Sequence, residues 1–347
     1  MTDRQTDRQT DRQTDRQTDR QTDRLSFTKE QSIKIQILRG IAIIAVVCIH
    51  NTPDGLMQIW GRPFMNFSVG LFLFLSGLLS CAEHWNPAKR ITKVLIPYCL
   101  WTFVYIAIAN AAHPLHIPVA YAKALILANS AAVMYYILVY CQFTLLIPFI
   151  DKLARSKIFY LGFIIAPVEI IVMHYVPLYM GVTLDKYVLY IRGISCLGWF
   201  TYFYLGYLIG NKLLKIDIST VTLGIMWIVS IILQIGEGYL QFSMGEINCG
   251  TQLKLTAILS GTLFALLAYS YINNQFTYKI KILKILGDTS FGIYFSHLAV
   301  MAVLHHFPYY SRYIGFPFTA LITICITLLC VELGKKVMGK YAKYIAV

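Results

Sequence analysis

Two side chains in the first apolar stretch have types and spacing that suit chemistry. The segment reads Leu38-Arg39-Gly40, an apolar run from Ile41 to Ile49, then His50-Asn51. Arg39 and His50 are eleven positions apart. At roughly 3.6 residues per turn this is just over three turns, so both project from nearly the same helix face, about 16 Å apart along the axis. A guanidinium can grip phosphate through paired hydrogen bonds. An imidazole, with an unperturbed pKa near about 6.5, can take a proton from a hydroxyl at neutral pH. Position alone leaves a second reading open, in which Arg39 snorkels to the inner headgroups and His50 rests at the outer interface. Ionisable groups inside spans are nevertheless functional candidates by default.

The elements that position this pair belong to a membrane. Of 347 residues, 57% are hydrophobic and only 14% are charged. The mean hydropathy is +0.59. A soluble domain carries about a quarter charged residues, so this chain has too few to coat a water-facing surface. The apolar residues fall in blocks between short basic loops, which is the pattern of an all-α polytopic membrane protein. A spanning helix needs about 20 mostly apolar residues. Ten stretches meet that need, near 34–52, 66–82, 93–112, 131–150, 158–176, 192–210, 219–236, 253–272, 289–306 and 314–333. Residues 117–128 form either an interfacial helix or a further partial span.

The net charge of +13 would suggest nucleic acid in a soluble protein. Here Lys and Arg cluster beside the spans and report topology. With a cytoplasmic N-terminus, the inner loops carry Lys89, Arg90 and Lys93; Lys152, Arg155 and Lys157; Lys212 and Lys215; and Lys279, Lys281 and Lys284. Lys335, Lys336, Lys340 and Lys343 follow the last span. The outer loops carry only Arg62, Lys123, Lys186 and Arg312, with Arg192 and Lys254 at span edges. Both termini are therefore expected in the cytoplasm, and no nucleic-acid partner is expected.

Other candidates are fewer. Ser76 could be a nucleophile, although a Ser-Gly pair in a span is also a close-packing device. His297 is either a second catalytic group or a buried interhelical hydrogen-bonding group. Glu237 and Glu246 lie after the seventh span, as acceptor contacts or as solvated loop charges. The eight cysteines include no CxxC pair, and all but Cys249 sit in apolar runs. They read as small hydrophobes. His305-His306 lacks companion ligands, so no metal site is expected. There is no phosphate-binding Gly loop and no GxSxG elbow.

Several segments in order resemble membrane-bound acyltransferase family 3. They are Arg39 and His50 with ten residues between them, Leu71-Phe72-Leu73-Phe74-Leu75-Ser76-Gly77, Lys89-Arg90-Ile91 through Pro97-Tyr98, Tyr135 to Pro148, and Gly287 to His297 with Ser290, Tyr294 and His297. The likeness covers about residues 31–335. It implies an O-acetyltransferase of a cell-surface glycan, with acetyl-CoA as donor. Arg39, Lys89, Arg90 and Lys93 would hold the coenzyme's phosphates, and His50 would be the general base. Ser76, Tyr294 and His297 would support them. The acceptor would be a polysaccharide, lipopolysaccharide or lipid-linked saccharide, and the site the bacterial inner membrane. One departure stands out: the family usually has an acid three residues before the Arg, and here that position is Gln36. A flippase for a lipid-linked saccharide is the rival from another class, but no internal repeat between halves is visible.

Residues 25–347 then form the transmembrane domain. Residues 2–24 repeat Thr-Asp-Arg-Gln without a single apolar side chain. Such a tail cannot bury a core and is expected to be disordered. Repeated GACA, read in triplets, encodes Asp-Arg-Gln-Thr. A four-base repeat shifts the frame with each copy gained or lost, so the gene is expected to be phase-variable.

Overall fold

A computed structural model describes residues 26–274 and 280–346. The Thr-Asp-Arg-Gln repeat and Lys279 lie outside the described residues. The described chain is all-helical, and seven of its helices are long and apolar enough to cross a membrane. They are α1 (Lys29–Asn51), α3 (Pro87–Ala109), α5 (Tyr135–Ala154), α6 (Phe159–Met180), α9 (Thr220–Ser243), α10 (Leu255–Asn273) and the apolar segment Phe318–Ile345 that contains α13 (Phe318–Met338). Helices close most of their backbone hydrogen bonds internally, as lipid requires, with Pro97 in α3 and Pro148 in α5 as local interruptions. Apolar side chains stand outward where lipid would lie, such as Phe149 at 70% exposure and Ile232 at 63%.

α1 starts at a capping box. Thr28 Oγ1 accepts from the Gln31 backbone N–H, and Gln31 Oε1 accepts from that of Thr28. Two otherwise orphaned donors are satisfied at once. α1 then runs through the middle of the bundle, against α2 (Phe67–Leu78), α11 (Lys281–Asp288), α12 (Ser290–His305) and α13.

Three of the ten apolar stretches form helices shorter than a full span. Within 66–82 the helix α2 has 12 residues, and within 289–306 the helix α12 has 16. Within 192–210 the chain breaks. The helix α7 (Lys186–Ile194) stops, a 3-10 turn covers Leu197–Trp199, and α8 (Phe200–Gly210) continues with 11 residues. The break is held by one side chain. Gln142 Nε2 donates to the Ile194 carbonyl at 2.7 Å, and Gln142 Oε1 accepts from the Cys196 N–H at 3.0 Å. Backbone groups freed by the break are thus satisfied inside the protein, as the apolar environment demands.

Two of the short helices, α2 and α8, are interior. Every residue of α8 is buried. α2 and α8 touch backbone to backbone because glycines face carbonyls: Gly77 meets Phe203, and Gly206 meets Phe74. A methyl group at either position would collide with the facing oxygen. Small residues drive such contacts in membranes, where apolar side chains gain little by leaving lipid. The 117–128 stretch forms α4 (Ile117–Leu127), an 11-residue helix beside α3. There the Tyr98 hydroxyl donates to the Leu125 carbonyl at 2.9 Å.

Candidate active site

Arg39 sits where α11 crosses α1. Gly40 faces the Leu283 carbonyl and Gly287 faces the Gln36 carbonyl, so the two backbones nearly touch on one side of Arg39. This leaves the guanidinium to turn the other way. Its Nη1 donates to Gln36 Oε1 at 3.5 Å. The amide therefore occupies the place expected of an acid. Asp288, paired with Lys284 at 2.5 Å, is also close enough to act on the Arg39 charge.

Arg39 lines a cavity of about 1090 Å³. Its walls come from several elements. α2 supplies Phe72 and Ser76, one turn apart; α5 supplies Tyr136 and Tyr140, also one turn apart; α12 supplies Ser290 and Tyr294. The start of α3 supplies Lys89, Arg90 and Lys93. Arg90 is fixed in place: Nη2 donates to Ser80 Oγ at 2.8 Å, and Nε donates to the Tyr140 hydroxyl at 3.4 Å. Lys89 and Lys93 are exposed. Among the described residues, no Asp or Glu lines the cavity. A concave site with positive walls and no acid suits an anionic ligand.

Ser76 and Gly77 divide the two roles open to a Ser-Gly pair. Gly77 is the close-packing residue against α8, whereas Ser76 looks into the cavity. Tyr294 donates its hydroxyl proton to the Val133 carbonyl.

His50 lies beyond this cavity, toward the other end of α1. Its ring is 5.4 Å from that of His297, centroid to centroid, at an interplanar angle of 50°. His297 is fully buried. Its Nδ1 is 2.9 Å from the Ile293 carbonyl. A carbonyl can only accept, so Nδ1 carries the proton and Nε2 of the neutral ring is a bare acceptor. That Nε2 is buried and has no hydrogen-bond partner. Arg62 acts electrostatically on His50 from the short helical turn Arg62–Phe64.

The structure thus brings Arg39, Lys89, Arg90, Lys93, Ser76 and Tyr294 to one cavity, and His50 and His297 to one pair. The two groups do not share a void. Between them, Ile43 and Val47 on the same face of α1 are buried in one cluster with Ile137 and Tyr294. α12 joins them, because it carries both Tyr294 and His297 one turn apart. Sequence reading did not single out Tyr136, Tyr140, Lys343 or Tyr344 as site residues, nor Arg62 as a neighbour of His50. The tyrosines had a signal, since their spacing of four puts both hydroxyls on one face of α5. Arg62 and the residues after α13 had none, because only folding brings them near.

A family model described as an acyltransferase domain matches residues 32–333. This chain belongs to acyltransferase family 3. The match runs from the start of α1 almost to the end of α13 and includes Arg39, Lys89, Arg90, Lys93 and the histidine pair. With its apolar helices, it makes the protein a multi-pass membrane acyltransferase. It does not favour the flippase alternative. No curated protein and no solved structure matches the sequence.

Proposed function

We propose that this family 3 acyltransferase moves an acetyl group from cytoplasmic acetyl-CoA to a hydroxyl of a cell-surface polysaccharide or lipopolysaccharide sugar. The observation that carries the reading is the division of α1. Its Arg39 end opens into an acid-free cavity with further cations, and its His50 end meets a histidine with a bare buried nitrogen. In this reading the protein lies in the bacterial inner membrane, with about ten spans and both termini in the cytoplasm. The three short helical segments complete the count. The basic residues that line the cavity then face the side on which CoA thioesters are made. Residues 25–347 form the transmembrane unit.

The chemistry follows from these positions. Arg39 and Arg90 hold donor phosphates through charge-assisted hydrogen bonds, with Lys89 and Lys93 at the mouth. The acyl arm runs along α1 past Ser76 and Tyr294 toward His50. His50 takes the proton of the sugar hydroxyl as its oxygen attacks the thioester carbonyl. The thiolate of CoA leaves and takes up a proton, and the acetyl ester remains on the sugar. His297 positions His50 by the contact of their rings. Because Ile43, Val47 and Tyr294 pack between the two ends, donor binding must part them.

The test is direct. Wild type and His50→Ala are expressed at matched levels in membranes, and the surface glycan is weighed by mass spectrometry. An acetyl-sized mass present with wild type and absent with the variant is expected. An unmodified glycan with both would reject the reading. The tetrapeptide repeat makes the gene phase-variable in the same proposal. Sibling colonies should differ in repeat number, and codons not built on GACA would end that part.

A further inference from the structure

The residues after α13 fold back onto the cavity. α13 ends at Gly339, whose φ of +50° lies in the left-handed region that glycine tolerates. A tight helical stretch, Gly339–Ile345, then packs against α3 and α13. It is docked at three points. The Trp101 indole Nε1 donates to the Ile345 carbonyl at 3.0 Å. Ala342 is buried at 7% exposure. The backbone at Ala346 closes on Gly292, where a methyl group would come within 2.7 Å of the Ala346 carbonyl.

The docking points the next two side chains at the same void as Arg39. Lys343 and Tyr344 both line the cavity. Lys343 Nζ lies 4.9 Å from the Tyr344 ring centroid. Tyr344 is 39% exposed, so one face of a flat aromatic ring remains available at the mouth. Lys343 becomes the fifth cation on the lining, with Arg39, Lys89, Arg90 and Lys93. An aromatic face beside a cation, across from more cations, fits a ligand with a flat heterocycle next to phosphate. The acetyl group and the pantetheine arm offer neither.

We propose that the segment Gly339–Ile345 forms the nucleotide-recognising wall of the donor site, with Tyr344 stacking on the base and Lys343 pairing with phosphate. This rests on the reading that the donor is a CoA thioester. The segment binds the end of the donor that does not react. It therefore sets donor affinity and leaves the chemical step alone.

The experiment compares two donors on the full-length protein in membrane vesicles: acetyl-CoA, and acetyl-pantetheine, which has the same thioester but no nucleotide. Lys343→Ala combined with Tyr344→Ala should raise KM for acetyl-CoA about tenfold, the loss of about 1.4 kcal/mol of binding. Its kcat, and all constants with acetyl-pantetheine, should stay at wild-type values. Tyr344→Phe and Lys343→Arg should keep most of the affinity, because ring and charge remain. Equal losses with both donors would mean that the segment only supports the fold, and would overturn the proposal. An unchanged KM for acetyl-CoA would overturn it too. If wild type neither binds nor turns over acetyl-CoA, the donor reading itself fails and takes the proposal with it.

Discussion

The two ends of α1 differ in what surrounds them, although one helix face carries both. Around Arg39 the space is open: a 1090 Å³ cavity in which serines, tyrosines and cations stand among apolar side chains such as Phe72, Ile96 and Phe291. Around His50 the neighbours are packed, and its nearest ring belongs to the buried His297. In the proposed function, one end would hold the charged donor and the other would take the proton. The difference teaches how one helix can present an open polar-lined cavity and a packed imidazole pair on a single face; under the proposal, binding and chemistry would then be separable, with the apolar turns between them as the coupling.

Removing the imidazole should break the comparison most visibly. His50→Ala should lower acyl transfer about 10²- to 10⁴-fold, while equilibrium binding of acetyl-CoA to the membranes stays at the wild-type level. A parallel loss of donor binding would show that the ends are one site. At the other end, Arg39→Ala should weaken donor binding about 10- to 100-fold, as expected for a charge-assisted contact. Arg39→Lys should restore only part, since an ammonium lacks the planar fork. The readout is KM for acetyl-CoA at a fixed acceptor concentration.

The apolar middle supplies a sharper test. Val47→Phe adds bulk where Val47 is fully buried beside Tyr294. It should keep donor binding within about threefold and cut transfer by about tenfold or more, provided the protein still folds. Matched levels in the membrane and an unchanged melting temperature check the fold. Gln36→Glu should have the smallest effect. It strengthens the weak 3.5 Å contact with Arg39 by making it charge-assisted. A change in donor KM of no more than about fivefold is expected.

Much of this was legible in the sequence, and the reason is physical. Apolar blocks longer than a bilayer is thick must become helices, so α1, α3, α5, α6, α9, α10 and α13 could be placed from composition alone. The short interior helices were harder. The 192–210 stretch is apolar throughout its second half, yet it breaks near Cys196 because Gln142, more than fifty positions away, satisfies the exposed backbone. Hydropathy does not register such a partner.

The candidate site divides along a similar line. Arg39 and His50 were visible because a helix converts a spacing of eleven into a shared face. Lys89, Arg90 and Lys93 were visible as a basic run. Within the chain itself, sequence therefore determined the family, the helical class and the residues carried by single helices, since each depends only on local spacing and composition. Tertiary structure alone decided that Lys343 and Tyr344 join Arg39 and that His297 meets His50. Those facts depend on contacts between residues up to three hundred positions apart. Such contacts are set by which glycines let backbones touch and which side chains satisfy a broken helix.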